Sequence, residues 1–133
     1  MKPYNGNGLF NGEPTNDNLS NSCEFSVIVP AYQAAGIIAA CVQALSAQTV
    51  DRERYEIIVV DDASSDDTGQ IAQTSGADRV LRIAHGGPAA ARNAGIEVAQ
   101  GDIVLFTDAD CIPSEAWIEC MVAPFADPAV MGV

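Results

Sequence analysis

Positive charge is scarce in this chain: six Lys and Arg stand against 18 Asp and Glu, for a net charge of −12. A surface that acidic repels phosphate backbones, which argues against nucleic acid as a partner. It also means that an anionic ligand must dock through a cation or a local basic group. Aromatic residues are few, 6% of the total, with one histidine, His85, and one tryptophan, Trp117. No apolar run approaches the roughly 18 residues that a membrane span needs. The N-terminus carries one Lys and lacks the apolar segment of a secretory leader. Of the four cysteines, Cys23, Cys41, Cys111 and Cys120, no pair has a C-x-x-C or zinc-ribbon spacing. They read as reduced thiols, with Cys41 and Cys120 on apolar helix faces, and the cytosol is the predicted compartment. There is no G-x-G-x-x-G and no P-loop, so neither a dinucleotide fingerprint nor a Walker motif applies.

What remains is the composition of a globular domain: 133 residues, 48% of them hydrophobic. Residues 1–22, rich in Asn, Gly, Ser and Pro, read as a disordered tail; residues 23–133 read as one domain. Short branched apolar runs at 25–29, 56–60, 79–83 and 103–106 predict four strands, the first stopped by Pro30. Between them, 3.6-residue periodicity predicts helices at about 34–47 and 67–74, a third from Pro88 ended by Gly101, and a fourth at about 113–125. Pro88 opens the third, and Ala91, Ala94, Gly95 and Val98 form its packing face. Trp117, at helical spacing from Met121, reads as core. Alternation of this kind predicts an α/β fold, a mostly parallel sheet with helices on both faces. Residues 129–133 read as the start of a fifth strand, so the sheet is expected to be incomplete at its C-terminal end.

Three segments follow strand ends: Pro30-Ala31-Tyr32, Asp61-Asp62 and Asp108-Ala109-Asp110. In open α/β sheets ligands bind beyond the carboxyl ends of the strands. Two carboxylates spaced one apart there suit a hard divalent cation, which takes oxygen ligands and shares its shell with substrate phosphates. Read as structure alone, Asp108 is a turn residue and Asp110 a cap for the helix opening at Pro113. Residues Ser64 to Asp67 read as a capped turn into the second helix. An EF-hand is excluded, because Asp67 and Gln73 stand where its Gly and Glu belong. Asp62, fixed at a strand end, is able to accept a hydrogen bond from a ring N–H. Arg92 either faces a pyrophosphate or pairs with surface carboxylates. His85 reads as a loop bystander.

Taken in order, Phe25-Ser26-Val27-Ile28-Val29-Pro30-Ala31-Tyr32, Val60-Asp61-Asp62-Ala63-Ser64-Ser65-Asp66, Gly86-Gly87-Pro88-Ala89-Ala90-Ala91-Arg92-Asn93-Ala94-Gly95 and Thr107-Asp108-Ala109-Asp110 resemble the family-2 inverting glycosyltransferases. The resemblance covers nearly everything from Phe25 onward. It implies a Rossmann-like GT-A nucleotide-binding half and a nucleotide-diphosphate sugar as donor, commonly a UDP-sugar. Pro30, Ala31 and Tyr32 match the segment that contacts base and ribose, and Asp62 the aspartate that binds the uracil ring N–H. Asp108, Ala109 and Asp110 match the D-x-D segment. There Asp108 lies towards ribose or metal, and Asp110 holds the Mg²⁺ or Mn²⁺ that bridges the diphosphate. Arg92 matches a position near the nucleotide. The family's general base and its Q-x-x-R-W-type segment are not found, since the later acids Glu115, Glu119 and Asp127 sit in no family motif.

The resemblance therefore implies the donor half of a transferase acting with inversion on an unknown glycan or lipid acceptor, in cell-surface polysaccharide or glycoconjugate synthesis. By itself the chain is expected to be inactive, and the full-length protein to work in the cytoplasm or at the inner face of the membrane. Two other readings stay open. One is a non-catalytic nucleotide-binding module or inactive fragment. The other is a sugar nucleotidyltransferase, which usually carries a basic Gly-rich loop where this chain has Pro30-Ala31-Tyr32-Gln33.

Overall fold

The computed structural model describes residues 23–132; the predicted N-terminal tail lies outside them. Four strands, β1 (Phe25–Ala31), β2 (Tyr55–Asp61), β3 (Arg79–Arg82) and β4 (Ile103–Phe106), form one parallel sheet in the order β3-β2-β1-β4. Four helices alternate with them: α1 (Ile38–Ser46), α2 (Thr68–Ser75), α3 (Pro88–Val98) and α4 (Trp117–Val122). Two short 3₁₀ turns lie at Arg52–Arg54 and Ala123–Ala126.

The central strands are apolar without alternation because both faces are covered. One face of β1 and β2, through Val27, Val29, Ile57 and Val59, packs on Ile38, Cys41, Val42 and Leu45 of α1, Ala72 of α2 and Ile118 of α4. The other face, through Ile28, Ile58 and Val60, packs on Ala91, Ala94 and Val98 of α3. Each fully buried Val, Leu or Ile contributes about 1.5–3 kcal/mol over leaving it in water. Helix α3 approaches closely because it presents small residues. A Cβ on Gly95 would come within 2.6 Å of Ile28 Cγ2, so no larger residue fits without moving the helix.

Chain order sets where the loops meet. From β1 the chain winds outward through β2 to β3, then crosses over α3 to β4 on the far side of β1. The reversal of strand order falls between β1 and β4, where such sheets open a crevice at the carboxyl edge. The opposite end is tied by a buried polar network. Glu56 Oε2 accepts the Ser26 hydroxyl at 2.6 Å and the Gln100 N–H at 2.7 Å, and Ser26 Oγ accepts the Gly101 N–H at 2.8 Å. Arg79 lies 3.4 Å from Glu56 Oε1. This network fixes the start of β4 against the middle of the sheet.

Several expectations are corrected. β1 runs through Pro30 to Ala31. Ala31 C=O accepts from Asp62 N on the β2 side, and Ile28 C=O from Thr107 N on the β4 side. Pro30 therefore faces the β4 side, beyond the last β1–β4 partner Ile28–Phe106, where a missing N–H breaks no paired ladder. The fourth helix is shorter than predicted, because residues 113–116 are held out of it by Gln48 and Thr49. Among residues 129–132 no strand forms. Asp127 Oδ1 accepts the Ala129 N–H and Asp127 C=O the Val130 N–H, so the chain turns there. Cys120 is exposed rather than core, whereas Cys41 is buried; the described cysteines are free thiols, as expected. Trp117 and Met121 pack, partly buried, on the α1 side of the core. Among the described residues no helix is long and apolar enough to cross a membrane.

Candidate functional site at the carboxyl edge of the sheet

Two residues beyond β1 and two beyond β2 the backbone takes left-handed conformations, at Gln33 (φ 51°) and Ala63 (φ 64°). Non-glycine residues there are strained, and such strain concentrates at ligand sites. Here it turns the two loops towards each other. The Gln33 N–H donates to Ser64 Oγ at 2.8 Å, and Gln33 Oε1 accepts the Ser65 N–H at 2.6 Å. The Ala34 N–H donates to Thr68 Oγ1 at 2.8 Å and the Ala35 N–H to Asp66 Oδ2 at 3.2 Å. Asp66 also accepts the Thr68 N–H at 3.1 Å and the Thr68 hydroxyl. The capped turn expected over residues 64–67 is thus present, with Asp66 as acceptor, and it also anchors the first loop. The Thr68 hydroxyl leads the causes that hold the Asp66 carboxyl below its ordinary range.

Asp61 and Asp62 point to different tasks. Asp61 is structural: its carboxylate takes Arg82 Nη1 at 2.9 Å and the Ser64 N–H at 3.0 Å. Asp62 reaches across to the loop before α3. Its Oδ1 accepts the Gly86 N–H at 2.8 Å and its Oδ2 the Gly87 N–H at 3.0 Å. The Gly86 amide is the main cause of a lowered Asp62 pKa, with Gly87 and His85 adding to it. Gly87 adopts φ +93° to present its amide, a conformation that favours glycine. The Asp62 carboxylate keeps acceptor capacity, since two oxygens offer about four lone-pair sites.

Sequence reasoning set His85 aside, and the structure brings it to this cluster. Its Nδ1 lies 3.0 Å from Asp62 Oδ2, and its ring stands 4.9 Å from that of Tyr32, tilted by 41°. Tyr32 itself is exposed, while Ala31 is buried. The only signal in the sequence was the adjacency of His85 to the two glycines.

The second cluster lies beyond β4. Asp108, Asp110 and Cys111 are exposed, and each offers a ligand atom within 4.8 Å of the others. Asp110 does not cap a helix: α4 begins at Trp117, and the Ile118 N–H is taken by Gln48 Oε1. Its carboxylate is left to the Cys111 thiol, 3.7 Å away, and to solvent. Ala109 is buried between the two aspartates, and the Cys41 thiol lies 3.5 Å from the Asp108 carbonyl oxygen. Arg92, one turn into α3, reaches Asp108 Oδ1 at 3.6 Å. Both partners are largely exposed, so the pair adds little stability. Its effect is to set a cation beside two carboxylates in a chain otherwise poor in positive charge. Gly87 and Arg92 share the start of α3 and link the two clusters. All predicted site residues therefore stand at one edge of the sheet.

Comparison with known proteins gives a consistent picture. Residues 26–133 match the model of the family "Glycosyl transferase family 2". The chain is 41% identical over 110 residues to glycosyltransferase AglE of Haloferax volcanii, a match covering 79% of this chain and 36% of that protein. It is similar to the crystal structure of Staphylococcus aureus TarS in complex with UDP-GlcNAc, with a TM-score of 0.70 at 32% identity, over 79% of this chain and 31% of that one. It is also similar to the mannosyltransferase PcManGT from Pyrobaculum calidifontis in complex with GDP-Man and Mn²⁺, with a TM-score of 0.63 at 31% identity, over 68% and 28% of the two chains. The chain thus spans about a third of the length of these relatives.

Proposed function

The chain belongs to glycosyl transferase family 2, and from that premise we propose that it binds the nucleotide-diphosphate sugar donor of a glycosyltransferase. The observation that best supports this is the meeting of Tyr32, Asp62, Asp108 and Asp110 at one sheet edge from three separate loops. Tyr32 offers an exposed ring for a nucleobase, beside the end of β1 at Pro30 and Ala31. Asp62, ionised and with acceptor capacity to spare, takes a ring N–H. Uracil offers one, and the UDP-GlcNAc complex of TarS supports UDP as the carrier. The adjoining clusters then receive ribose and diphosphate.

A divalent cation fits this donor set. Asp108 and Asp110 are hard oxygen ligands, exposed and close together, and the PcManGT complex contains Mn²⁺. Asp110 would hold Mg²⁺ or Mn²⁺ with Asp108 beside it. The ion, when bound, supplies Lewis-acid stabilisation of the leaving diphosphate. Arg92 neutralises Asp108 and faces the same anion. Inverting transfer to an acceptor hydroxyl also needs a general base, and none of Glu115, Glu119 and Asp127 stands in either cluster. Glu119 accepts the Thr49 hydroxyl and Asp127 closes its own turn. Transfer itself we assign to the whole protein, with this chain as the donor half. Its acceptor belongs to cell-surface polysaccharide or glycoconjugate synthesis. We assign that work to the cytoplasmic side, a reading that the free thiols among the described residues support.

Calorimetry with UDP, with and without Mn²⁺, tests the reading. Binding that requires the metal, and that is abolished in Asp110→Asn with an unchanged circular dichroism spectrum, is expected. Equal UDP affinity in the variant, or no heat with wild-type protein, would overturn it.

A further inference from the structure

His85 is held by groups that only accept. Its Nδ1 lies 3.0 Å from Asp62 Oδ2 and 3.4 Å from the Asp62 carbonyl oxygen. The carboxylate is fixed in place and ionised by the Gly86 and Gly87 amides. A carboxylate opposite Nδ1 requires the proton to sit on Nδ1, and the bond made by one ring nitrogen decides what the other offers. The side chain is 62% exposed, beside the Tyr32 ring, so the outer nitrogen, Nε2, is left open to solvent.

We propose that Asp62 locks His85 in the Nδ1–H tautomer, making His85 a base-reading residue whose Nε2 accepts when neutral and donates when protonated. This rests on the reading that the pocket takes a nucleoside diphosphate. A uracil that gives its ring N–H to Asp62 presents carbonyl oxygens on either side. Those oxygens need donors, and the amides of Gly86 and Gly87 already serve Asp62. Protonated His85 supplies that donor and a positive charge facing an anionic ligand. The described groups around it leave that role to His85. Tyr32 meets it through the ring, Asp62 through the carboxylate, Arg82 is engaged with Asp61 and the Ser64 carbonyl oxygen, and Arg92 is turned to Asp108. Protonation of His85 therefore tightens nucleotide binding.

Because the chain has a single histidine, its tautomer is read directly from a long-range ¹H–¹⁵N spectrum at about pH 8, above the range in which histidines change charge. The Nδ1–H pattern is expected; the Nε2–H pattern overturns the proposal. UDP affinity with Mn²⁺ is then compared between wild type and His85→Asn, whose amide nitrogen replaces Nδ1 but cannot gain a proton. The wild-type to variant affinity ratio should rise several-fold from about pH 8 to about pH 5.5. Titration of the UDP phosphates cancels in that ratio. His85→Phe, which keeps the ring and loses the bond, should bind more weakly at both values. A ratio that ignores pH, with UDP still bound, overturns the role of His85 alone. Failure of UDP to bind at all overturns both this role and the nucleotide reading, whatever the spectrum shows.

Discussion

Thr68 is the single side chain on which the bracing of the two loops depends most. It is fully buried, its Oγ1 accepts the buried Ala34 N–H at 2.8 Å, and its hydroxyl proton goes to Asp66. Replacement by valine keeps the volume and removes only the hydroxyl, so no cavity enters the reckoning. Asp66 retains the Thr68 and Ala35 amides and has access to water. The Ala34 N–H has neither alternative. An orphaned buried donor costs about 1–3 kcal/mol. For a domain of this size a kilocalorie corresponds to about 5 °C, so Thr68→Val should lower the melting temperature by about 5–15 °C. Thermal unfolding followed by circular dichroism, with urea titrations at unchanged m, measures it. Thr68→Ser, which keeps the hydroxyl and loses a methyl, should be the milder change. A loss under about 0.5 kcal/mol in Thr68→Val, or a serine variant worse than the valine one, would refute the reasoning.

Burial sorts the thiols: it is the first cause pushing Cys41 and Cys23 up to about 11, while Cys111 and Cys120 are exposed. Iodoacetamide near pH 8 should label Cys111 and Cys120 first, with Cys23 and Cys41 lagging at least tenfold, as peptide mass spectrometry would show. The depressed Asp66 carboxyl gives a pH dependence of defined sign. Its folded value lies below the unfolded one, so its contribution is full above about pH 4 and is lost as pH falls through the folded value. The stability difference between wild type and Asp66→Asn, from urea midpoints, should therefore shrink on acidification below about pH 4; a difference that grows would contradict the assignment.

The parts legible in the sequence were those governed by nearest neighbours and burial. β2 announces itself because two-sided burial leaves an uninterrupted branched run, and β4 because its short apolar run is bounded by Gly101 and the aspartates. Helix α3 does so because Gly87-Pro88 and a face of small residues mark both its start and its packing. The placement of Asp62, Asp108 and Asp110 was legible because strand ends in a parallel sheet share one edge. What was not legible depends on partners far along the chain. Residues 113–116 stay out of α4 because Gln48 takes the Ile118 N–H at 2.8 Å and bonds the Ser114 carbonyl oxygen at 2.7 Å, while the Thr49 N–H holds the Glu115 carbonyl oxygen. His85 gains its role from Asp62, 23 positions earlier. The turn at Asp127 won over strand propensity because its carboxylate captures a neighbouring amide, a local competition that apolar counting does not see.

The left-handed turns at Gln33 and Ala63 carry a thermodynamic corollary. Loops that are clasped to one another by hydrogen bonds before any ligand arrives have already surrendered their freedom during folding. Association at this rim should then proceed with little ordering entropy to oppose it, and the heat capacity of complex formation should report the buried ligand surface rather than a change in the shape of its receptor.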